Sequence, residues 1–225
     1  MIIAIDGPSG AGKSTLGKML AKGLGLLYLD TGAMYRAGAV AAVRAGISLD
    51  DADELTSIVR NAKIELTGEP DSLKVLLNGD DVSSEIRTLE VAQAASIVST
   101  VSDVRRRMVE LQREIGKNAP NGCVLEGRDI GSVVFPNADI KFFLTAKPEA
   151  RARRRFEEDT SKGRVSTYDQ TLAEINERDE RDVSRDDSPL MIAEDAVVID
   201  TSELDLTEVF ELMLAKVHER KSAAA

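Results

Sequence analysis

Five short stretches of the chain are apolar almost throughout: IIAID (2–6), LLYLD (26–30), CVLEG (123–127), IKFFLT (140–145) and AVVID (196–200). A strand with one face in water alternates apolar and polar residues, whereas an unbroken run marks a strand covered on both faces, as in parallel sheets. Between the runs, helix-like spacing predicts helices over 14–24, 32–45, 50–61, 102–117, 147–160, 167–185 and 205–220. Asp50 and Asp51 suit the start of the third, and Ser102 is a fitting cap for the fourth. Strands alternating with helices predict a doubly wound α/β fold, a five-stranded parallel sheet flanked by helices in three layers.

One region breaks the alternation. Residues 63–85, KIELTGEPDSLKVLLNGDDVSSE, hold two β-like runs, KIEL and LKVLL, separated by GEPDS and followed by the turn-rich NGDD. They predict a small antiparallel sheet inserted between the second and third main strands, too short for an independent domain and suited to the rim of a site. The rest reads as one domain over 1–225, with 222–225 expected to be a disordered tail.

Composition narrows the function classes. No run approaches the ~20 apolar residues that span a bilayer, and MIIAID carries no basic leader, so a cytoplasmic protein with no membrane partner is expected. Cys123 is the only cysteine, which removes intrachain disulfides and thiol metal sites, and lies in an apolar run as a small core residue. The single histidine, His218, falls on a helical stretch near the surface, away from any triad. A net charge of −10 argues against a general nucleic-acid binder. Yet 18 of the 29 basic residues are arginine, the side chain that grips phosphates and carboxylates bidentately. An acidic protein with clustered arginines points to a local anion site.

The first strand runs into Gly7-Pro8-Ser9-Gly10-Ala11-Gly12-Lys13-Ser14, which matches G-x-x-x-x-G-K-[ST] in its strand-to-helix context. The glycines let backbone N–H groups turn toward a phosphate, Lys13 reaches the β/γ oxygens, and the helix N-terminus adds its dipole. The Ser14 hydroxyl is placed to ligate Mg²⁺, and Thr15 completes the nucleotide-contacting stretch. No D-x-x-G switch, N-K-x-D guanine reader or LSGGQ signature stands at a suitable place, so transfer of a γ-phosphoryl group to a small acceptor is the leading expectation.

The acceptor side follows from topology. C-terminal strand ends in a parallel sheet share one edge, so Asp30 and Thr31 face the crevice of the phosphate loop. Arg36 is then placed for an acceptor phosphate with Thr31 and Tyr35 lining its pocket; the plainer alternative is Thr31 as a helix cap. Arg105, Arg106 and Arg107 cannot all share one helix face, which leaves room for one to turn inward while the others are solvated. The run Arg151-Ala-Arg153-Arg154-Arg155 before DTSKGR is either a salt-bridged helix face with Glu157 and Glu158 or a mobile lid, approximately 147–167, that brings arginine to the phosphates. Arg178, Arg181 and Arg185 lie on one helix stripe with Asp182 four residues after Arg178, which suits an ion-pair ladder or anion binding.

Taken together, GPSGAGKST, LDTGAMYR, DDVSSEIRT, EGRDIGSVVFP and ERDERD resemble the bacterial cytidylate kinases, over roughly residues 2–220. The resemblance implies phosphoryl transfer from ATP to CMP or dCMP by a phosphate-loop core with a monophosphate-binding insert and a helical lid. It implies that Ser96, Arg105 and Asp129 read cytosine, while Thr31, Arg36, Arg128, Arg178, Asp182 and Arg185 hold the acceptor phosphate and ribose. The chain has Thr31 where some relatives have Ser, Ser14 where some have Gly, and Glu126 where some have Asp.

The chemistry fits the residues. Cytosine offers an exocyclic amine with N3 and O2 acceptors, complementary to a carboxylate plus an arginine, whereas uracil would set O4 against the Asp129 carboxylate. An acceptor phosphate is already a nucleophile, so no strong base is required. Positioning and charge neutralisation by Mg²⁺, Lys13, Arg128, Arg185 and lid arginines such as Arg154 carry the expected catalysis. The alternatives are a phosphate-loop kinase for another small acceptor and an ATP-binding regulatory module. ATP and CMP or dCMP are the expected partners, and no feature calls for more than a monomer.

Overall fold

The computed structural model describes residues 1–161 and 163–223. All five apolar runs are strands of one parallel sheet: β1 (Ile2–Asp6), β2 (Leu27–Asp30), β6 (Cys123–Gly127), β7 (Ile140–Thr145) and β8 (Val197–Asp200), in the order β2-β6-β1-β7-β8. β6 is buried along its whole length and β1 from its second residue, which is why neither alternates. A second sheet of β3 (Ile64–Thr67), β4 (Lys74–Leu77) and β5 (Asp80–Asp81) is antiparallel, as the inserted runs predicted. Its second hairpin, β4–β5, turns at Asn78 and Gly79, both at positive φ, which Asn and Gly tolerate.

Helices α1 (Lys13–Leu24) and α8 (Leu206–Ala223) cover one face of the main sheet, where Leu16, Leu20, Val209 and Met213 meet Ile3, Ile5 and Phe142. The other face carries α2 (Thr31–Arg44), α3 (Ala52–Asn61), α4 (Leu89–Val98) and α5 (Ser102–Lys117), and the small sheet joins that core through Val75 and Leu77. The two remaining helices, α6 (Pro148–Ser161) and α7 (Tyr168–Val183), pack on each other. A helical periodicity was not evident over α4, because LEVAQAASIV is apolar nearly all round; Thr88, whose hydroxyl accepts from the Val91 N–H, was its available start signal.

Several local expectations resolve differently. Asp51 caps α3 through the Glu54 N–H as anticipated, but α5 begins with Ser102 inside the helix and Val101 at the cap position, without a side-chain bond. Asp30 rather than Thr31 caps α2, accepting from the Ala33 N–H at 2.8 Å. Of the four residues expected as a disordered tail, Ser222 and Ala223 continue α8, and the last two lie outside the described residues. Cys123 is buried and His218 exposed. Among the described residues no helix is long and apolar enough to cross a membrane.

Strand register sets up the crevice. β1 and β2 both pair with β6, so Asp6 lies opposite Gly127 and Asp30 opposite Glu126. The chain moves from β1 to one side of the sheet for β2 and β6 and to the other for β7 and β8. Ligands of open α/β sheets bind at such a switch, beyond the carboxyl ends of the strands.

Candidate active site

Residues 7–12 turn from β1 into α1, with Gly7, Gly10 and Gly12 at φ of 143°, 79° and 90°. A Cβ on Gly7 would stand 2.0 Å from the Leu144 carbonyl oxygen, so only glycine lets the loop pass β7 this closely. Pro8 and Ala11 are buried, Ser9 and Gly12 half-buried, and Gly10, Ser14 and Thr15 exposed at the mouth. Lys13 is buried and its ammonium donates to the Pro8 carbonyl at 2.7 Å. Burial, followed by the neighbouring Arg128, pushes the Lys13 pKa down to about 7, with Glu126 opposing.

Glu126, at the end of β6, is buried beside the loop. The Tyr28 hydroxyl donates to it at 2.5 Å, and the Ser14 hydroxyl lies within its hydrogen-bonding reach. Burial and the nearby Asp30 carboxylate raise the Glu126 pKa, while Lys13 works in the opposite direction. Thr31 donates to the Glu126 backbone carbonyl at 2.6 Å, which ties the start of α2 to the end of β6. A Cβ on Gly127 would lie 2.8 Å from that Thr31 hydroxyl and 2.7 Å from Ile130 Cδ1.

Across the crevice the arginines from distant segments meet. Of the three consecutive arginines on α5, Arg105 turns inward and is 2 % exposed, while Arg106 and Arg107 pair on the surface with Asp103 and Glu110. Arg105 donates to Asp129 at 2.5 Å and to the Ser99 carbonyl at 3.1 Å, and its guanidinium lies over the Tyr35 ring, 5.6 Å from the centroid. Asp129 is 5 % exposed. Ser96 lies buried in α4 one turn before Ser99, and its hydroxyl has no hydrogen-bond partner.

Asp182 on α7 is the hub of the remaining set. It accepts from Arg128 Nε at 2.6 Å and from Arg185, which also donates to the Ser99 hydroxyl at 3.0 Å. The expected Arg178–Asp182 rung is not among these bonds; Arg178 instead reaches the Ser9 hydroxyl of the phosphate loop at 3.5 Å. Arg36 pairs with Asp30 at 3.2 Å. Burial would raise the Asp182 pKa, but Arg128, Arg185 and Arg178 override it and hold the carboxyl below its ordinary value. Burial, then repulsion from Arg128, lowers the Arg178 pKa to about 10.

Lys13, Arg36, Arg128, Arg178 and Arg185 therefore share one crevice in which their mutual repulsion is felt. Among the described residues, five buried side-chain polar atoms lack a hydrogen-bond partner, and four of them belong to Ser96, Arg105, Arg178 and Arg185. Buried donors without acceptors, and cations held close enough to repel one another, are both stabilised by a bound anion.

The other predicted arginines divide. Arg154 donates through both terminal nitrogens to Thr201, whose hydroxyl is 3.4 Å from the Ala11 carbonyl. It sits beside the phosphate loop but apart from the acceptor cluster. Arg155 bonds Asp159 at 3.0 Å, giving part of α6 the salt-bridged character also anticipated. Arg151 was named only as part of the run, yet it is the residue that meets the loop: it donates to the Ser9 carbonyl at 3.1 Å and pairs with Asp179 at 2.6 Å. Asp6 was missed altogether, although it immediately precedes the phosphate loop. Its carboxylate accepts from the N–H groups of Ile130 and Gly131 at 2.8 and 2.7 Å.

The chain matches the family model described as cytidylate kinase over residues 3–219. It is 50% identical over 220 residues to the cytidylate kinase of Geobacter sp. (strain M21), covering 98% of this chain and 94% of that one. It is 47% identical to the cytidylate kinase of Halalkalibacterium halodurans, with 98% of each covered, and 46% identical to that of Mycobacterium leprae, with 99% and 98% covered. A solved structure of an uncharacterized protein from Eubacterium ventriosum, 14% identical, superposes with a TM-score of 0.51 over 97% of this chain and 98% of that chain, a likeness of fold alone. The matched span includes the phosphate loop and the arginine crevice, and the chain belongs to the cytidylate kinase family.

Proposed function

We propose that the protein transfers the γ-phosphoryl group of ATP to CMP, and to dCMP, giving ADP and CDP or dCDP. The observation that carries the choice of base is the buried Arg105–Asp129 pair beside the unpartnered Ser96 hydroxyl. A carboxylate accepts from the cytosine amine while Arg105 and Ser96 complete the polar edge of the ring. Uracil would bring its O4 against Asp129, an arrangement a closed site penalises.

On this reading residues 7–15 hold the ATP phosphates, with the N–H groups of the loop and Lys13 as donors. Arg128 and Arg185, fixed by Asp182, grip the acceptor phosphate together with Arg178; Arg36, Thr31 and Tyr35 line its pocket. The excess of cations brings two anionic groups together, and Lys13 and Arg128 lie where the transferring oxygens would gather charge. The acceptor needs no proton removed, which suits a crevice without histidine.

Ser14 and Glu126 offer oxygen donors of the kind a hard cation takes. No group of three or more His, Cys, Asp or Glu side chains among the described residues is arranged to hold a metal, so Mg²⁺ would be held by Ser14 together with the nucleotide phosphates. When bound it supplies charge neutralisation across the β- and γ-phosphoryl groups.

The small β3–β5 sheet within residues 63–85 serves as part of the monophosphate-binding lobe, and 147–167 as the lid. Arg164 supports a lid that meets the acceptor lobe: it binds Asp159 at 2.8 Å and the Arg87 carbonyl at 3.1 Å. Arg154 would leave Thr201 for the phosphates as the lid closes and excludes water. The protein acts as a monomer in the cytoplasm, with no nucleic-acid or membrane partner. Equilibrium titration tests the base assignment: CMP should bind at least tenfold tighter than UMP, roughly the yield of one mismatched polar contact, and equal binding would refute it.

A further inference from the structure

Asp6 occupies a junction that the reaction scheme above does not use. It is 5 % exposed, ends β1, and is the last side chain before the phosphate loop. Its two oxygens take the N–H groups of Ile130 and Gly131, the two residues that follow Asp129. Those residues open a turn of π-helix, Ile130–Val134, in which the Asp129 carbonyl accepts from Val134 at 3.0 Å and the Ile130 carbonyl from Phe135 at 2.7 Å. Wide turns of this kind occur disproportionately at functional sites. The far end of the turn is held separately, by Arg113, which donates to the carbonyls of Val133 and Val134 at 2.7 and 2.8 Å.

We propose that Asp6 is a positioning residue for base selection: as a carboxylate it fixes the 130–131 backbone against the phosphate loop and so sets where Asp129 meets the cytosine amine. This rests on the reading of Asp129 as the base reader and deepens it. The two half-sites, one for the triphosphate and one for the base, then share a single rigid link. Gly131 permits it, since a Cβ there would stand 3.3 Å from the Asp6 carboxylate and 3.0 Å from Lys141 Cδ.

The link depends on ionisation. A carboxylate offers acceptor sites on both oxygens, whereas a protonated carboxyl spends one oxygen on the proton. Burial pushes the Asp6 pKa up to about 6, against the lowering effect of the Gly131 and Ile130 N–H groups. The charged groups facing it are Asp129 from the turn, which raises the value, and Lys13 from α1, which lowers it. From β7, Lys141 presents its methylene stem across Gly131 and turns its ammonium to Asp195 at 2.6 Å. Above pH 6 both N–H bonds are charge-assisted; below it one weakens and the turn loosens.

The test is the ratio of kcat/KM for CMP to kcat/KM for UMP, measured with saturating ATP and Mg²⁺ at pH 7.5 and 5.5. Titration of the acceptor phosphate is common to both nucleotides and cancels in the ratio. The wild-type ratio should fall severalfold on going to pH 5.5. Asp6→Asn, which keeps one acceptor and sets an amide N–H against the other donor, should lower the ratio at pH 7.5 by about tenfold, the loss of one charge-assisted bond, and abolish its pH dependence. A wild-type ratio that is high but flat with pH overturns the Asp6 proposal, as does an Asp6→Asn protein that keeps the wild-type ratio and slope. A wild-type ratio near one at both pH values overturns the reading of Asp129 itself, and with it the role of Asp6.

Discussion

Arg105 and Asp129 form an ion pair of 2.5 Å at the floor of the crevice, 24 residues apart in sequence, with exposures of 2 % and 5 %. Such a pair is weak support for stability, since desolvation offsets most of the attraction, but removing one partner strands a buried charge at a cost of about 3–5 kcal/mol. Its presence at the mouth of a core is explained by what it presents to a ligand. Asp129→Asn, which preserves shape while replacing an acceptor oxygen with a donor, should lower kcat/KM for CMP by about 10²-fold and that for UMP far less. ATP affinity should change little. Steady-state kinetics with both acceptors, alongside nucleotide titration, checks this; an equal loss for CMP, UMP and ATP would mark the pair as structural.

Lys13 carries a second prediction. With its pKa at about 7 in the ligand-free protein, the ammonium is mostly neutral at pH 8, and the arriving triphosphate should recharge it. ATP binding at pH 8 should take up close to one proton, read by calorimetry in two buffers of different ionisation enthalpy; no uptake contradicts the assignment. The unfolded chain binds more protons than the native one between about pH 7 and 10.5, so this lysine's contribution to stability rises with pH across that window. Lys13→Ala should abolish turnover with every acceptor.

Arg178 is held against Arg128 with its Nε unpartnered and its pKa lowered to about 10. Replacing it by Met should raise the KM for CMP and also stabilise the ligand-free protein, the familiar exchange of stability for a binding site. Relief of about 1 kcal/mol of repulsion corresponds to roughly 2–4 °C in Tm for a chain of this length. A lower Tm would show that the crevice arginines are balanced without a ligand.

Arg151 and Arg154 should separate structure from turnover. Arg151 links α6 to the phosphate loop and Asp179, so Arg151→Ala should destabilise by about 2–3 kcal/mol through lost charged hydrogen bonds. Arg154→Ala should leave Tm nearly unchanged and lower kcat for every acceptor alike. Denaturant melts paired with kcat values decide between these roles; an unaffected kcat would leave Arg154 as no more than a brace for Thr201.

The sequence carried the main sheet almost to the residue, because strands buried on both faces cannot alternate and therefore stand out. It carried the phosphate loop for a similar reason: glycines, lysine and serine are fixed by backbone geometry at set spacings. The arginine crevice was harder to read. Helical angles keep Arg105, Arg106 and Arg107 off one shared face, but only packing of α5 against the 129 turn brings Arg105 inward. The helix α4 carries only Glu90 and Gln93 as polar residues on its exposed side, too narrow a polar face to show its period, and the π turn after Asp129 follows from long-range bonds to Asp6 and Arg113 that no local pattern records. Arg151, the first of the four arginines in residues 151–155, stands out from the others only once α6 is placed against Ser9.

The central claim is best tested by turnover itself: purified protein with ATP and Mg²⁺, offered CMP, dCMP, UMP, AMP and GMP in turn, with ADP release followed. CMP and dCMP should be phosphorylated at least tenfold more efficiently than UMP, AMP or GMP, in keeping with a buried polar site that rejects mismatched rings. Equal rates with UMP or AMP would contradict the account of the Arg105–Asp129 floor, and no turnover with any acceptor would contradict the kinase reading altogether.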